Sequence, residues 1–301
     1  MRFITYEEES VCHVGLLVQQ DSEIVPLVKA EKILLGTSLI PDNMLDIISG
    51  EDKFIPVIKK IMDKFAVSLC PKIKADTAKI LAPIPRPTKN IFCVGLNYRE
   101  HVEEAEVALK NSNIPQHPVL FSKAPTTVTG PDSMVKSYAG IVTDLDYEVE
   151  LAVIIGKAGT GIKKADAYDH IFGYTIINDV SARDLQFRHV QWLLGKSCDT
   201  FAPMGPCLVY KSEFANPQMV DITCKINGEM RQNNNTKNMI FDIPTIIETI
   251  SSVLTLEPGD IIATGTPSGV GLGFNPPKYL KPGDVMELEI PGIGILKNTI
   301  E

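Results

Sequence analysis

The fold is decided by the stretch DYEVELAVIIG at residues 146–156, where apolar and β-branched residues run to a glycine. Such a run predicts a buried strand. It begins with Glu148 and Glu150, whose side chains would share one face of the strand, roughly 7 Å apart. Two like charges at that spacing are unfavourable unless water or a cation lies between them. The pair therefore indicates either a bound divalent metal ion or a strand that starts in solvent, and the spacing alone does not choose between them.

A third carboxylate follows the next strand pattern. Residues 173–178 (GYTIIN) predict a second apolar strand, Asp179 stands at its end, and residues 181–188 that follow are helix-like. With Glu148 and Glu150, Asp179 would give three oxygen ligands from rigid elements. This hard donor set suits Mg²⁺ or Mn²⁺ rather than zinc. The alternative is an ordinary aspartate that precedes a helix.

The composition bounds the class of protein. The chain has 301 residues, 44% of them hydrophobic, which is enough for one large domain or two unequal ones. A net charge of -8 without a run of Lys or Arg argues against a nucleic-acid partner. No apolar stretch approaches the roughly 20 residues of a membrane helix. Residues 1–9 lack a signal-peptide layout, so we expect a cytoplasmic protein with no membrane partner.

The sequence predicts two domains joined by a linker. Residues 1–75 combine short strand patterns with a helical periodicity, which indicates a small N-terminal α+β domain. Residues 76–90 are a Pro-rich linker, because prolines at every second position from 83 to 87 exclude a helix and favour an extended chain. Strand patterns predominate in residues 91–301, the main domain. The predicted fold class is therefore α+β and β-rich.

A histidine and a glutamate follow the first strand of the main domain. Residues 91–95 (IFCVG) predict a short buried strand, and residues 96–105 after it have helical character. Residues three apart are neighbours on a helix surface, so Glu104 can reach His101. A carboxylate that orients an imidazole makes a general base that works near neutral pH. The alternative is a polar helix face that happens to carry one histidine.

Two glycine-containing segments offer contacts for an anion. Lys196 lies in a Gly- and Pro-rich segment, residues 194–206, where it would neutralise an anionic substrate unless it points to solvent. Residues 263–271 (ATGTPSGVG) can expose backbone N–H groups to an anion. They are not a nucleotide fingerprint, because neither a Gly-Lys-Ser/Thr ending nor the G-x-G-x-x-G spacing is present.

Taken together, five segments resemble the fumarylacetoacetate hydrolase superfamily and occur in the family's order. They are CVGLNYREH at 93–101, DYEVELAV at 146–153, GYTIIND at 173–179 with ARD at 182–184, GKS at 195–197 and TGTPSGVG at 264–271. Each segment alone is a weak signal, but the set is specific and covers about residues 90–301. The resemblance implies a β-rich sandwich or roll of mixed sheets with short helices, usually a homodimer.

The same resemblance implies roles for the candidate residues. Glu148, Glu150 and Asp179 would be the metal ligands, one divalent ion per subunit. His101 and Glu104 would be the acid–base pair, carried on a lid helix. Further contacts to the substrate are implied for Lys196, which we count among the catalytic residues, and for Gln186 and Thr266.

The whole chain resembles most the bacterial oxaloacetate decarboxylases that carry a separate N-terminal domain. A 2-oxo acid chelates a divalent ion through its carboxylate and keto oxygens, and the ion then acts as a Lewis acid. We therefore expect decarboxylation of oxaloacetate to pyruvate and CO₂, with Arg99 and Lys196 as candidates to hold the dianion. The alternatives are an acylpyruvate or fumarylacetoacetate-type hydrolase, an isomerase of the 2-hydroxyhepta-2,4-diene-1,7-dioate type, and a non-catalytic binding protein.

Overall fold

The computed structural model describes residues 1–65, 70–109 and 114–301. The helices are α1 (Leu27–Leu35), α2 (Met44–Ser49), α3 (Glu51–Phe65), α4 (Arg99–Leu109), α5 (Arg183–Arg188), α6 (Leu193–Lys196) and α7 (Ile243–Ser251). The strands are β1 (Arg2–Glu8), β2 (Val11–Val18), β3 (Glu23–Pro26), β4 (Ile73–Lys74), β5 (Lys79–Leu81), β6 (Ile91–Gly95), β7 (Val119–Lys123), β8 (Val128–Thr129), β9 (Met134–Val135), β10 (Leu145–Asp146), β11 (Val149–Ile155), β12 (Ile171–Asn178), β13 (Ser181–Ala182), β14 (Ala202–Tyr210), β15 (Asp221–Ile226), β16 (Glu229–Asn235), β17 (Ile261–Ala263), β18 (Val285–Ile290) and β19 (Gly294–Ile300). Within these ranges, no helix has the length and apolar character needed to cross a membrane.

One large mixed sheet joins the N-terminal and C-terminal parts of the chain. Its order is β4-β3-β2-β1-β14-β12-β11-β17-β6-β7, with β5 paired to β1 and β8 paired to β14. Most neighbours are antiparallel, whereas β17 runs parallel to β6. A second sheet has the order β16-β15-β18-β19-β9, and β10 pairs with β13. The prediction of a strand-rich α+β fold with mixed sheets is confirmed.

Apolar side chains cover both faces of the large sheet. Every residue of β11 is buried, and its side chains alternate between the two faces. Leu151 and Val153 belong to a core cluster with Leu288 of β18 and Ile246 of α7. Ile154 belongs to a second cluster that includes apolar residues of α1, α2 and α3. Burial on both faces explains why the sequence of β11 is a continuous apolar run rather than an alternating one.

The N-terminal residues share the large sheet with the rest of the chain. β1 pairs with β14, with Phe3 opposite Leu208. β5 lies inside the predicted linker, residues 76–90, and pairs antiparallel with β1. Within the predicted linker, residues 79–81 thus form a short strand, and residues 83–86, which carry prolines, form bends. The division into residues 1–75, 76–90 and 91–301 stays a prediction.

Two helices begin later than the sequence predicts. Helices were expected over residues 96–105 and 181–188, but α4 begins at Arg99 and α5 begins at Arg183. Leu96 has φ 55°, a left-handed conformation that ends β6 and delays α4. Before α5, two residues form β13 instead and pair with β10.

Candidate active site

The large sheet brings its carboxylates to one end. β11 and β12 are antiparallel, and Val149 lies opposite Asn178. Next to this pair, the Asp179 N–H donates to the Glu148 carbonyl oxygen at 2.9 Å. Glu150 stands two positions after Glu148, so strand geometry turns both side chains to the same face. The start of β11 and the end of β12 therefore meet at one cluster of acids.

The three predicted ligands converge. One carboxylate oxygen each from Glu148, Glu150 and Asp179 lies within 4.8 Å of the others. All three residues are buried, and the most exposed of them, Glu148, is only 4% exposed. This burial excludes the alternative of a strand that starts in solvent. An all-oxygen donor set on two rigid strand ends fits a hard divalent cation.

Two lysines enter the cluster from other elements. Nζ of Lys196, the last residue of α6, lies 2.8 Å from Glu148 Oε2 and 2.8 Å from Asp179 Oδ2. Nζ of Lys123, the last residue of β7, lies 2.5 Å from Asp179 Oδ1 and donates to the Val180 carbonyl oxygen at 3.0 Å. Both lysines are buried. Lys196 is therefore not a solvated surface residue, and Lys123 is a partner that the sequence analysis missed.

Arg183 is a further buried cation to which the sequence analysis assigned no role. Its Nε donates to Asp146 Oδ2 at 2.9 Å, and a terminal nitrogen lies 2.7 Å from Glu148 Oε1. The other terminal nitrogen donates to Gln186 Oε1 at 3.1 Å. Asp146 in turn accepts the Gly271 N–H at 2.6 Å. Arg183 thus connects the acids to the Gly-rich segment. In the sequence, the feature that could have indicated a role for Arg183 was its position four residues after the candidate ligand Asp179.

The charges of the cluster leave one carboxylate without a cation. Four carboxylates, Asp146, Glu148, Glu150 and Asp179, face three cations, Lys123, Arg183 and Lys196. Burial alone would raise the pKa of Glu148, but Lys196 and Arg183 hold it below its ordinary value. Burial raises the pKa of Glu150 well above its ordinary value, and the neighbouring carboxylates raise it further. Within the described residues, Glu150 accepts one hydrogen bond, from the Gly265 N–H at 2.7 Å. A divalent cation would supply the missing positive charge.

Helix α4 places the predicted base beside this cluster. His101 Nδ1 and Glu104 Oε2 lie 3.2 Å apart, as expected for residues three apart on a helix. Glu104 Oε1 accepts the Gly269 N–H at 2.9 Å. Gly273 packs so closely against Glu104 that a Cβ at that position would overlap its carboxylate. His101 is buried and lines the same cavity as two of the acids, so the pair is more than a polar helix face.

The cavity measures about 40 Å³. Gln186 and Thr266, the predicted substrate contacts, both line it and are buried. Thr266 Oγ1 accepts a hydrogen bond from Gln232 Nε2 at 2.8 Å, which fixes the Gly-rich segment to β16. The remaining lining is largely apolar and includes Val94, Leu96, Phe121, Phe187, Trp192 and Leu272.

Arg99 lies outside this cavity, which corrects its expected place near the metal. It is exposed and borders a separate groove with Lys237 and Met239. The physical reason is the start of α4 at Arg99 itself. Two steps along a helix rotate a side chain by about 200°, so Arg99 and His101 leave the helix on opposite sides.

Comparisons with known proteins agree with this architecture. The family model described as fumarylacetoacetate hydrolase C-terminal matches residues 90–301. Oxaloacetate tautomerase YisK of Bacillus subtilis is 47% identical, and the match covers 100% of both chains. A fumarylacetoacetate hydrolase of Exiguobacterium antarcticum has a TM-score of 0.82 at 37% identity, covering 100% of this chain and 99% of its own. A maleylpyruvate hydrolase of Sphingobium, solved with manganese(II) and pyruvate, has a TM-score of 0.77 at 26% identity. The match covers 100% of this chain and 98% of the hydrolase chain.

The matched residues contain the whole candidate site, from His101 on α4 to Thr266 after β17. The relative from Bacillus subtilis is named as a tautomerase and the neighbour from Sphingobium as a hydrolase, and the prediction of an enzyme of this superfamily is confirmed. Both the order of the five sequence segments and the fold agree with the family match. The chain belongs to the fumarylacetoacetate hydrolase family.

Proposed function

We propose that this protein is a metal-dependent tautomerase that interconverts the enol and keto forms of oxaloacetate or a closely related small 2-oxo acid. The observation that carries the proposal is that His101, held by Glu104, lines one cavity with Glu148 and Glu150, two of the three converging buried carboxylates. Keto–enol exchange needs a group that moves a proton and positive charge near the enolate oxygen. The relative named oxaloacetate tautomerase, which matches along the whole chain, supports the choice of substrate.

Glu148, Glu150 and Asp179 are the residues that would hold a divalent ion, and we propose Mg²⁺ or Mn²⁺. Oxygen donors on rigid strand ends suit either cation. The manganese(II) bound to the related maleylpyruvate hydrolase supports this assignment. When bound, the ion acts as a Lewis acid that polarises the keto oxygen of the substrate.

His101 is the group that moves the proton. When its Nδ1 carries the hydrogen, Glu104 Oε2 accepts it, and Nε2 is left as the base. In the keto-to-enol direction, Nε2 removes a proton from C3, the C–H electrons form the C2–C3 double bond, and the C=O π electrons move to the keto oxygen. That oxygen takes a proton from water, to which the imidazolium then returns its own. The reverse steps return the keto acid. Glu104 therefore orients the base and does not itself touch the substrate.

Lys196 supplies positive charge rather than a second base. Burial alone would lower the pKa of its amino group, but Asp179 and Glu148 raise that pKa above its ordinary value. The group therefore stays an ammonium ion at neutral pH. We assign Lys196, together with Gln186 and Thr266, to binding the carboxylate and keto oxygens of the substrate.

Decarboxylation of oxaloacetate is the second candidate. Loss of the C4 carboxylate as CO₂ leaves the enolate of pyruvate, whose oxygen needs the same stabilisation as the enolate of oxaloacetate. This loss is favoured where the departing carboxylate is removed from water. The apolar lining formed by Phe121 and Trp192 offers such surroundings. Hydrolysis of an acylpyruvate and isomerisation of a diene-dioate are further candidates, which the names of the structural neighbours support. A purely binding role leaves the buried His101–Glu104 pair without a purpose.

We also propose that the protein is a homodimer. Exposed apolar side chains follow one another in and after α5, and such groups are typical of protein–protein contacts. They are Phe187, Val190, Leu193 and Leu194, of which Val190 is 94% exposed. Light scattering of the purified protein tests this proposal, and a monomer at micromolar concentration would contradict it. The cytoplasmic location stays a prediction of the sequence.

The test of function follows the ultraviolet absorbance of enol oxaloacetate with Mg²⁺ and after its removal by a chelator. We expect the enol to decay faster than the metal-ion background only with the metal-loaded protein. Pyruvate release, coupled to lactate dehydrogenase in the same samples, measures decarboxylation. Arg99→Ala is the matched control, because this exposed residue lies on the same helix as His101.

If pyruvate release keeps pace with the decay of the enol, the second candidate replaces the first. If neither rate exceeds the background measured with Mg²⁺ alone, both candidates are wrong.

A further inference from the structure

The tryptophan in the cavity lining, Trp192, lies on the end of β6. Gly95 is the last residue of that strand, and a Cβ there would lie 2.6 Å from the indole ring of Trp192. Side chains in protein interiors do not overlap to this extent. The indole therefore occupies the space that any side chain at position 95 would need, and the glycine is what allows the indole to lie there.

Phe121 also holds the indole. The rings of Phe121 and Trp192 have centroids 5.3 Å apart and meet edge to face at 63°, an arrangement that stabilises aromatic pairs. The Trp192 carbonyl oxygen accepts the Lys196 N–H at 3.1 Å, and Lys196 Nζ lies 5.1 Å from the centre of the Phe121 ring. The aromatic pair is thus continuous with the charged groups of the site.

This apolar wall leaves little room beside the charged groups. The cavity measures about 40 Å³, whereas pockets for drug-sized ligands measure roughly 300–1,000 Å³. A 2-oxo acid that places its carboxylate and keto oxygens at the charged groups must lay its remaining carbons along the apolar lining. Because the indole packs against Gly95 and Phe121, the wall that it forms limits the length of those carbons.

We propose that Trp192, seated on Gly95 and against Phe121, is a specificity residue that limits the chain length of the 2-oxo acids this site accepts. The inference rests on the proposed function in one respect, since it takes a 2-oxo acid as the ligand. It does not depend on whether the acid is tautomerised or decarboxylated.

The test measures binding rather than turnover. Calorimetry with the Mn²⁺-loaded protein compares pyruvate, 2-oxobutyrate, 2-oxovalerate and 2-oxohexanoate, which differ by one methylene at each step. One methylene too many in a tight apolar pocket changes discrimination by about 10–200-fold. We therefore expect the ratio of the affinities for pyruvate and 2-oxohexanoate to fall at least about tenfold in Trp192→Ala, and by a smaller factor in Trp192→Phe.

Gly95→Ala provides the matched variant in the opposite direction. The added Cβ would press on the indole but would make only an ordinary contact with Phe121, at 3.6 Å. Because the chain contains one tryptophan, its fluorescence reports on this site alone. We expect Gly95→Ala to shift the emission maximum and to weaken binding of the longer acids further. Combined with Trp192→Ala, the same substitution should no longer weaken their binding, a coupling that a double-mutant cycle measures.

Equal affinities of the wild type for all four acids would overturn the inference, as would the same chain-length profile in wild type, Trp192→Ala and Trp192→Phe. If the substitutions at 95 and 192 act independently, Gly95 plays no part in the chain-length specificity. Failure of pyruvate to bind the wild type would overturn the inference, whereas the proposed function is decided separately by the decay of enol oxaloacetate. Binding of pyruvate with an unchanged profile would overturn the inference alone.

Discussion

Two buried glutamates of the same fold, Glu31 in α1 and Glu150 in β11, have opposite surroundings. The Glu31 carboxylate accepts hydrogen bonds of 2.7–2.8 Å from the Thr37 hydroxyl and from the N–H groups of Leu39 and Ile40. Burial alone would raise the pKa of Glu31, but these hydrogen bonds lower it below its ordinary value. Glu150 accepts one backbone N–H within the described residues, and burial beside other carboxylates raises its pKa well above the ordinary value.

The difference separates a structural carboxylate from one that awaits a ligand. Burying a carboxylate costs free energy unless hydrogen bonds or an opposite charge compensate it. The chain satisfies Glu31 with its own loop, so the fold alone accounts for that residue. At the end of the large sheet, Glu150 is buried beside two further carboxylates, and the described part of the chain pairs it with no cation. Such local conflicts are typical of functional sites.

The largest effect is expected at the base rather than at either glutamate. His101→Ala should lower turnover about 10²–10⁴-fold, the usual contribution of a general base. Mn²⁺ affinity should stay unchanged, because His101 is not among the three converging acids. Steady-state kinetics of enol decay and a Mn²⁺ titration measure the two quantities, with Arg99→Ala as the control on the same helix. A parallel loss of metal binding would assign His101 to the metal site.

Glu150→Gln tests the functional side of the comparison directly. The amide removes one charged oxygen ligand, so the dissociation constant for Mn²⁺ should rise at least about 100-fold, since even changes outside the coordination shell cost about 10–100-fold. The metal-free variant should be no less stable than the wild type, because the amide needs no counter-charge. Electron paramagnetic resonance and urea denaturation measure the two effects. Unchanged Mn²⁺ binding would mean that Glu150 is not a metal ligand and, in this respect, does not differ from Glu31.

The sequence predicts the carboxylates around Glu150 better than it predicts the burial of Glu31. Glu148, Glu150 and Asp179 could be predicted because strand periodicity and strand ends are local features. Lys123 could not, because a lysine that ends a short strand has the same appearance whether it is buried or exposed. Arg183 was recognised as part of the ARD motif at residues 182–184, but the sequence did not identify the carboxylates that it contacts.

Two further placements that the sequence did not predict, those of Arg99 and Glu31, have a physical cause in helix and loop geometry. Arg99 was misplaced because the start of α4 decides which side of the helix it leaves, and a turn at Leu96 sets that start. Burial of Glu31 had no local signal, since its partners lie six to nine residues away in a loop. Both placements depend on the local chain geometry and on contacts in the folded protein, which sequence periodicity does not reveal.

Glu104→Gln distinguishes a residue that contacts the substrate from a residue that orients the contacting group. The amide oxygen can still accept from His101 Nδ1, but it no longer carries the charge that stabilises the protonated imidazole. We expect a loss of turnover on the order of tenfold, below that of His101→Ala, because orienting a base matters less than having one. The apparent affinity for the substrate should be unaffected. A loss equal to that of His101→Ala would give Glu104 a direct part in the reaction.

Glu31→Gln tests the structural side of the comparison and has the smallest expected effect. The amide weakens hydrogen bonds to a charged acceptor, which are worth about 1.5–3 kcal/mol each, so we expect a loss of about 2 kcal/mol in the free energy of unfolding. Mn²⁺ binding and turnover should not change. Glu8→Gln is the matched control, because Glu8 is exposed and forms an exposed ion pair with Lys29.

The pH dependence of this loss distinguishes a lost charge from altered packing. The folded-state pKa of Glu31 is lowered, so its contribution to stability is fully present above the unfolded-state pKa of about 4.3 and fades as the pH falls through the folded-state value. The difference in unfolding free energy between wild type and Glu31→Gln should therefore be constant at neutral pH and should narrow in acid. Urea denaturation across this pH range measures it. A difference that persists unchanged in acid would mean that Glu31 stabilises the loop by packing rather than by its charge.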